Sequence, residues 1–415
     1  MRYALLDHLA CQACHSELAC FTYRERPSDI PAGPFDGGAR VGTGPGLSPL
    51  PAIAQSTELT SRLKAFAQSA ADPGRNFTVE IDEGILVCPR CSRWYPITHR
   101  LPEILPDHLR DFDADAARLR EAAAAMPPSL AELALQFRPA QQAADTGAHY
   151  KHAEMSIKEK IDDPAFFGPG YSSPYNPWNP EFTLYLISLF GSSLRLLDLK
   201  KGELVLDSGC GYAWTTEWFH RSGVPVVGID ISRTYLDIGI ERMGDAHPHL
   251  VVGDVENLPF KTGAFDAVLA YESFHHIPDR PRAMAGYDRI LGAAGRVVLA
   301  EPGGAHEHAE VSVDVMKKYG ILERGMELED VSAYAAGSAL TGIEQVFLAR
   351  GTQDDVGRVL DRPYLKDRSI FEGNLFRLRK GGVASNVARI GAPRRRLWPI
   401  AKRYIKRGLL KVGLD

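Results

Sequence analysis

Four cysteines stand as two pairs, Cys11-Gln12-Ala13-Cys14 and Cys88-Pro89-Arg90-Cys91. Two thiolates three residues apart grip one cation, and two such pairs complete a tetrahedral zinc site. Cys11, Cys14, Cys88 and Cys91 are therefore the candidate metal ligands, and a zinc ion there would tie together a segment too small for its own core. Two rival chemistries are weaker. Cys11 to His15 spells C-x-x-C-H, the haem-attachment string, but that reading ignores the second pair and needs export. A redox C-x-x-C belongs at a helix start after a strand, a setting neither pair clearly has. Cys20 reads as a spare thiol and Cys210 as a small packing residue.

A second set of chemical residues begins at Val205-Leu206-Asp207-Ser208-Gly209-Cys210-Gly211-Tyr212-Ala213. Glycines at a strand-to-helix turn let backbone approach a ligand closely, and the helix start favours negative charge. A lone G-x-G turn fits several nucleotide enzymes, so the spacing that follows matters more. Asp230 ends the next apolar run, where a carboxylate can accept both hydroxyls of a ribose. Then come Gly253-Asp254-Val255-Glu256-Asn257-Leu258-Pro259-Phe260, and Phe265 to Tyr271 followed by Glu272-Ser273-Phe274-His275-His276. Each acid alone reads equally well as a cap or a solvated loop end. Three acids after three successive strands do not. A dehydrogenase would need glycine where Trp214 stands, which is too large for close helix–sheet packing.

The elements that must position these residues follow from patterning. Short β-branched runs at 204–207, 224–230, 250–254, 266–271 and 296–301 alternate with helical stretches such as 232–243 and 280–291. Strict alternation predicts parallel βαβ units and a doubly wound α/β sheet. Apolar runs at 345–350 and 374–379 supply two further strands, making seven. A helix is expected over 107–125, ended by Pro127 and Pro128. The Gly- and Pro-rich stretch from Pro27 to Pro51 is expected to be a mobile insertion. This divides the chain into a zinc-binding module with its insertion (1–106), a connecting arm (107–180), the α/β domain (181–381) and a basic tail (382–415).

Composition bounds the reading. The 415 residues are 45% hydrophobic and 24% charged, with a net charge of -4, ordinary for a globular protein. That charge argues against a surface built to grip nucleic acid. No apolar run is long enough to span a bilayer. The first residues carry acid and histidine where a signal peptide needs an apolar core, so a cytoplasmic location with reduced thiols is expected.

The stretch 203–303 resembles the core of the small-molecule class I methyltransferases. Their pattern is D-x-G-x-G, an acid ending strand two, G-D-x-x-x-L-P-F, F-D-x-V, H-H after strand four, then G-x-x-x-x-x-E-P. All six elements occur here in order. The resemblance implies a Rossmann-like methyltransferase fold with S-adenosylmethionine as cofactor. It implies that Asp207 orders the loop of Gly209 and Gly211, that Asp230 holds the ribose, and that Asp254 bonds the adenine amino group with Val255 against the ring. Tyr271 would line the sulfonium end. Two residues depart from the pattern: Ser208 where an apolar residue is usual, and Ala213 for the third glycine. The second cysteine pair, with Trp94-Tyr95-Pro96-Ile97 and Leu101-Pro102-Glu103-Ile104-Leu105, is similar to the zinc-binding activator subunit of tRNA and release-factor methyltransferases, a zinc-ribbon module. The long insertion between the pairs departs from that family.

Methyl transfer to oxygen needs a proton acceptor, ordinarily histidine. His306 is the first candidate and His276 the second, with a loop-bonding role as the alternative for each; His275 often has that bland role in the family. Residues 301–324 resemble, more weakly, methyltransferases of polysaccharide clusters, which points to a small-molecule or glycan-type hydroxyl as acceptor. An RNA base methyltransferase and a non-catalytic partner-binding platform are the rival functions. The tail carries Lys402, Arg403, Lys406, Arg407 and Lys411 opposite an apolar face. A packed final helix is its favoured reading, and peripheral contact with an anionic membrane the alternative.

Overall fold

The computed structural model describes residues 1–27, 79–88, 90–122, 124, 145, 147–156, 174–175, 179–244, 246, 248–349, 371–381 and 389–390. Most of the expected insertion, Tyr171 and Trp178 of the arm, and the tail beyond 390 lie outside them.

The N-terminal module contributes four strands: β1 (Ala19–Pro27), β2 (Val79–Val87), β3 (Trp94–Thr98) and β4 (Leu101–Ile104). Helices α1 (Phe112–Ala122) and α2 (Ala148–Met155) belong to the arm. Then follow α3 (Pro180–Leu197), β5 (Val205–Ser208), α4 (Trp214–Arg221), β6 (Val226–Asp230), α5 (Arg233–Met243), β7 (His249–Gly253), β8 (Phe265–Tyr271), α6 (Arg280–Ile290) and β9 (Leu291–Glu301). The chain continues with α7 (Glu310–Tyr319), α8 (Leu328–Tyr334), β10 (Gly342–Ala349), β11 (Phe371–Arg379) and the two-residue β12 (Arg389–Ile390).

The seven expected strands are present in the order β7-β6-β5-β8-β9-β11-β10. Six point the same way, and β11, antiparallel to both neighbours, is the exception. The chain order reverses between β5 and β8, and such a switch point opens a crevice at the carboxyl ends of the strands. Parallel strands covered on both faces need no alternation, and β5 and β6 are buried at every residue. One apolar cluster (Leu206, Val227, Val268, Tyr287) fills one side of the sheet, and α3 with Phe190, Phe219 and Leu269 fills the other.

The sheet extends further than its own domain. Strand β4 pairs in parallel with β7, matching Glu103 to Val252 and Ile104 to Gly253, so the described sheet has twelve strands. Arg233 at the start of α5 donates to Thr98 Oγ1 (2.6 Å) and salt-bridges Glu103. Leu5, Leu9 and Tyr95 lie in the same apolar cluster as Val227 and Phe260. The module and the methyltransferase-like sheet thus share one core.

The expected helix over 107–125 is shorter. Residues 107–109 form a 3-10 turn, and α1 begins at Phe112 because the Asp111 carboxylate accepts the amides of Asp113 (3.1 Å) and Ala114 (2.9 Å). That arrangement is a side-chain cap, which starts the helix after Asp111. Among the described residues no helix is long and apolar enough to cross a membrane.

Candidate functional site

The two cysteine pairs meet. Sγ–Sγ distances are 3.6 Å for Cys11–Cys91, 3.4 Å for Cys14–Cys88 and 3.8 Å for Cys14–Cys91. Four sulfurs each about 2.3 Å from one zinc ion would lie about 3.8 Å apart, so this donor set fits that ion. The two knuckles repeat one backbone pattern. The Cys11 amide bonds the Ser16 carbonyl and the His15 amide bonds the Cys11 carbonyl, as Arg93 and Ser92 do around Cys88. His15 and Ser92 both have positive φ, at 56° and 60°. The histidine of C-x-x-C-H is therefore the knuckle's turn residue, equivalent to a serine. Tyr95 Oη lies 3.2 Å from Cys11 Sγ, beside the cluster. Cys20 and Cys210 are buried elsewhere, Cys210 as expected of a packing residue.

The residues expected to hold the cofactor line the carboxyl edge of β5, β6 and β7. Gly209 and Gly211 turn with φ of 67° and 52°; a Cβ on Gly209 would strike Ser273, whereas the space over Gly211 is open. Asp207 Oδ2 accepts both threonine hydroxyls at the start of α4, Thr215 at 2.6 Å and Thr216 at 2.5 Å. That fixes the loop to the strand. Asp230 accepts Gly211 N and Ser232 N, each at 2.8 Å on a different oxygen. Each oxygen retains a second lone pair, the capacity a ribose diol needs. Burial pushes both carboxyls up to about 6, against those hydrogen bonds. Ser208, the first departure from the pattern, pairs its hydroxyl with Tyr287 Oη at 2.8 Å, so this buried polar group is satisfied.

Asp254 is more heavily engaged than the resemblance implies. It accepts Glu256 N (3.0 Å), Asn257 Nδ2 (2.6 Å) and Lys151 Nζ (3.0 Å). Lys151 comes from α2, is 4% exposed, and also bonds Asp145 (2.9 Å) and Glu256. Little acceptor capacity remains for an adenine amino group. Val255 opens a 3-10 turn and packs against the main apolar cluster. Tyr271 spends its hydroxyl on the Leu186 carbonyl (2.7 Å) and stands its ring edge-on to Trp214 and Phe190, so it contributes a wall rather than a polar group.

A second cluster sits at the ends of β8 and β9. Glu301, fully buried, accepts Phe274 N (2.8 Å) and His275 Nδ1 (2.7 Å). Glu323 accepts His306 Nε2 at 2.7 Å, and the same oxygen lies 3.5 Å from His275 Nε2. His276 donates Nδ1 to the Leu322 carbonyl (2.7 Å) and stands 4.0 Å from the other oxygen of Glu323. The structure thus brings both expected catalytic histidines to one carboxylate; His308 points out, 79% exposed. Burial drives His275 down, but its hydrogen bond to Glu301 and the nearby Glu323 carboxylate carry it up to about 10. Burial opposes ionisation of Glu323 too, yet its histidine partners hold it well below the usual carboxylate range. Glu272 adopts a left-handed φ of 49°, and burial lifts its carboxyl to about 7 despite a hydrogen bond from Tyr185. Strain at a non-glycine residue clusters at functional positions.

Sequence reading missed Glu272, Glu301, Glu323 and Lys151. Glu301 was legible in principle, as the single acid closing the apolar strand Val297–Ala300. Glu323 and Lys151 carry no local signal.

Comparison with known proteins places these features. Residues 206–299 match the family described as methyltransferase domain, and residues 2–98 that described as Trm112p-like protein. A demethylmenaquinone methyltransferase of Thermobifida fusca is 31% identical over 170 residues, covering 38% of this chain and 70% of its own. A fatty-acid O-methyltransferase of Mycolicibacterium smegmatis is 28% identical over 235 residues, covering 55% and 79%. Among solved structures, geranyl diphosphate C-methyltransferase from Streptomyces coelicolor is 17% identical, covers 50% of this chain and 82% of its own, and gives a TM-score of 0.39. With the glycine loop, the strand-end acids and the paired knuckles in place, the chain belongs to the S-adenosylmethionine-dependent methyltransferases and carries a Trm112p-like domain before its catalytic sheet.

Proposed function

We propose that this enzyme methylates a hydroxyl oxygen of a small-molecule or glycan-type acceptor. The observation that carries the reading is the His306–Glu323 pair at the end of the sheet where the cofactor residues lie. When bound, S-adenosylmethionine supplies a methyl group on a sulfonium; the transfer forms a C–O bond, breaks the C–S bond and leaves that electron pair on sulfur. The acceptor proton needs a destination. His306 donates Nε2–H to Glu323, which in the neutral ring puts the lone pair on Nδ1. Glu323 then orients the imidazole and stabilises the imidazolium that forms, as a buried carboxylate does for a histidine base. His276, across the same carboxylate, is the second candidate.

Within this reading Asp230 holds the ribose, Asp207 keeps the glycine loop closed, and Asp254 shapes the adenine end through its turn. The four cysteines hold zinc and keep the N-terminal module folded. That module, residues 1–106, serves as a partner in cis for the domain of 181–381. The Ala10 amide bonds the Pro259 carbonyl at 2.8 Å and the Lys261 amide bonds the His8 carbonyl at 2.9 Å, tying the first knuckle to the turn that follows Asp254.

The test is transfer of labelled methyl from cofactor into a cell lysate fractionated into lipid, glycan, RNA, protein and small molecules. Label stable to base and recovered as methyl ether in the glycan or small-molecule fraction is expected. Label confined to RNA bases would overturn the hydroxyl assignment.

A further inference from the structure

Two of the side chains given roles above, His276 and Glu323, also belong with His275 to a group that can ligate a metal. One ring nitrogen each of His275 and His276 and one carboxylate oxygen of Glu323 lie within 4.8 Å of one another. The first two sit on the 3-10 turn after β8, the third on the loop after α7. Arg280, 2% exposed, locks the two pieces together by donating to the carbonyls of Phe274 (3.2 Å), His275 (2.6 Å) and Arg324 (3.1 Å). The constellation is held from behind and not merely collapsed.

Two observations separate it from a set of ion pairs. Both imidazoles have Nδ1 committed to an acceptor, His275 to the Glu301 carboxylate and His276 to the Leu322 carbonyl. A cation that displaces the proton from His275 Nε2 would find a lone pair facing Glu323, and metal-binding histidines carry just such a carboxylate or carbonyl on their far nitrogen. His276 stands further off, its Nδ1 4.0 Å from Glu323 Oε1 and 3.6 Å from Glu154. The spacing is the second observation. His275 Nε2 lies 3.5 Å from Glu323 Oε2. A charge-assisted hydrogen bond would close to about 2.7–2.9 Å. Two ligands each about 2.1 Å from one ion at a tetrahedral angle lie about 3.4 Å apart.

We infer that His275, His276 and Glu323 form a mononuclear site for a first-row divalent cation, with Glu301 and the Leu322 carbonyl orienting the two imidazoles. Two imidazoles and one carboxylate select an ion of the iron(II), cobalt(II) or zinc class over magnesium or calcium, which prefer all-oxygen shells. Three protein ligands leave a coordination position open, as sites that bind a substrate do. The site's existence does not depend on the acceptor reading, but its use does: an open position would hold the acceptor hydroxyl and acidify it. His306, bonded to Glu323 and outside the ligand set, keeps the role of base.

The full-length chain carrying one equivalent of zinc in its cysteines is titrated with cobalt(II), followed by absorption and calorimetry. One further cobalt per chain is expected, with weak d–d bands and no thiolate charge-transfer band. Glu323→Gln and His276→Gln should each weaken that binding at least tenfold. Glu301→Gln, which never touches the ion, should weaken it about 10–100-fold with an unchanged spectrum. His276 is partly exposed (23% of its side chain), so its variant keeps the test valid if a buried one misfolds. No cobalt beyond the zinc equivalent, or uptake indifferent to Glu323→Gln and His276→Gln, overturns the site. Cobalt bound at these residues with no methyl transfer to any hydroxyl removes the acceptor assignment and leaves the site standing.

Discussion

Two stretches of the same sheet edge are built on different plans. Along β5, β6 and β7 the strand-end acids have separate sets of partners. Asp207 is held by residues 8 and 9 positions away, Asp230 by residues 19 and 2 away, and Asp254 by its own turn 2 and 3 residues on and by Lys151, 103 residues away. Along β8 and β9 the carboxylates are shared. Glu301 holds an imidazole 26 residues away, and one oxygen of Glu323 faces both His306, 17 residues away, and His275. Groups that serve separately respond separately to change; groups in one network couple. The contacts of Asp207 and Asp230 are therefore separate from each other and from the histidine end, which forms a single unit.

The largest effect should expose that difference directly. Removing a positioned proton acceptor costs about 10²–10⁴ in rate. His306→Asn is expected to lower single-turnover methyl transfer by that factor while cofactor affinity holds. Adding Glu323→Gln to it should cost little more, because both act through one carboxylate. Asp230→Ala should do the reverse. Losing charge-assisted bonds at about 1.5–3 kcal/mol weakens cofactor binding by roughly 10–150-fold, measured by calorimetry. Its combination with His306→Asn should be additive in free energy. If His306→Asn weakens cofactor binding as much as Asp230→Ala does, the two regions are one and the comparison collapses.

A smaller effect follows from proton binding. Burial holds Asp207 and Asp230 at about 6 in the folded chain, above the ordinary aspartate value. An ionised carboxylate accepts ribose hydroxyls more strongly, so affinity for S-adenosylmethionine should rise from pH 5 to pH 7 and then level. Stability without cofactor runs the other way. Between the ordinary aspartate pKa of about 3.9 and the folded value of about 6, the folded state binds more protons than the unfolded one. These two groups therefore favour folding most at the acid end, and that contribution falls as pH rises through the window. Glu323, held well below the carboxylate range by its histidines, keeps its charge throughout. Calorimetry at pH 5, 6 and 7 that returns one dissociation constant would remove both aspartates from cofactor recognition.

The same difference decides what the sequence could tell. The placement of Asp207, Gly209, Gly211, Asp230 and Asp254 at the strand ends was readable because βαβ units repeat a local grammar: apolar run, turn, acid. The cysteine pairs were readable because ligand spacing is short-range chemistry, and the structure adds only that His15 is a turn residue. Glu323 was not readable, since its role exists only when a loop 48 residues beyond His275 folds back under Arg280. Lys151 was hidden for the same reason, lying 103 residues from Asp254. The join of β4 to β7 also escaped, because an edge strand does not announce its partner.

The smallest effect concerns Ala213, which stands where the pattern has glycine. It has φ of 57° and is fully buried at the start of α4. A left-handed conformation costs an L-residue about 1–2 kcal/mol. Replacing Ala213 by glycine relieves that strain but removes a buried methyl, worth about 0.8 kcal/mol, and frees the unfolded chain by about 0.4–1 kcal/mol. The methyl is well placed to matter, packing with Cys210 and Leu236 in one apolar cluster. These terms nearly cancel, so Ala213→Gly should shift stability by no more than about 0.8 kcal/mol in either direction in urea unfolding. Because the contacts of Asp207 and Asp230 are separate, cofactor affinity should stay within twofold. A stability gain well above 1 kcal/mol would mean that the methyl packs poorly and leaves the strain of Ala213 uncompensated. A large loss of affinity would mean that Ala213 and Asp230, linked through the Gly211 amide, form a coupled network of the kind assigned here only to the histidines.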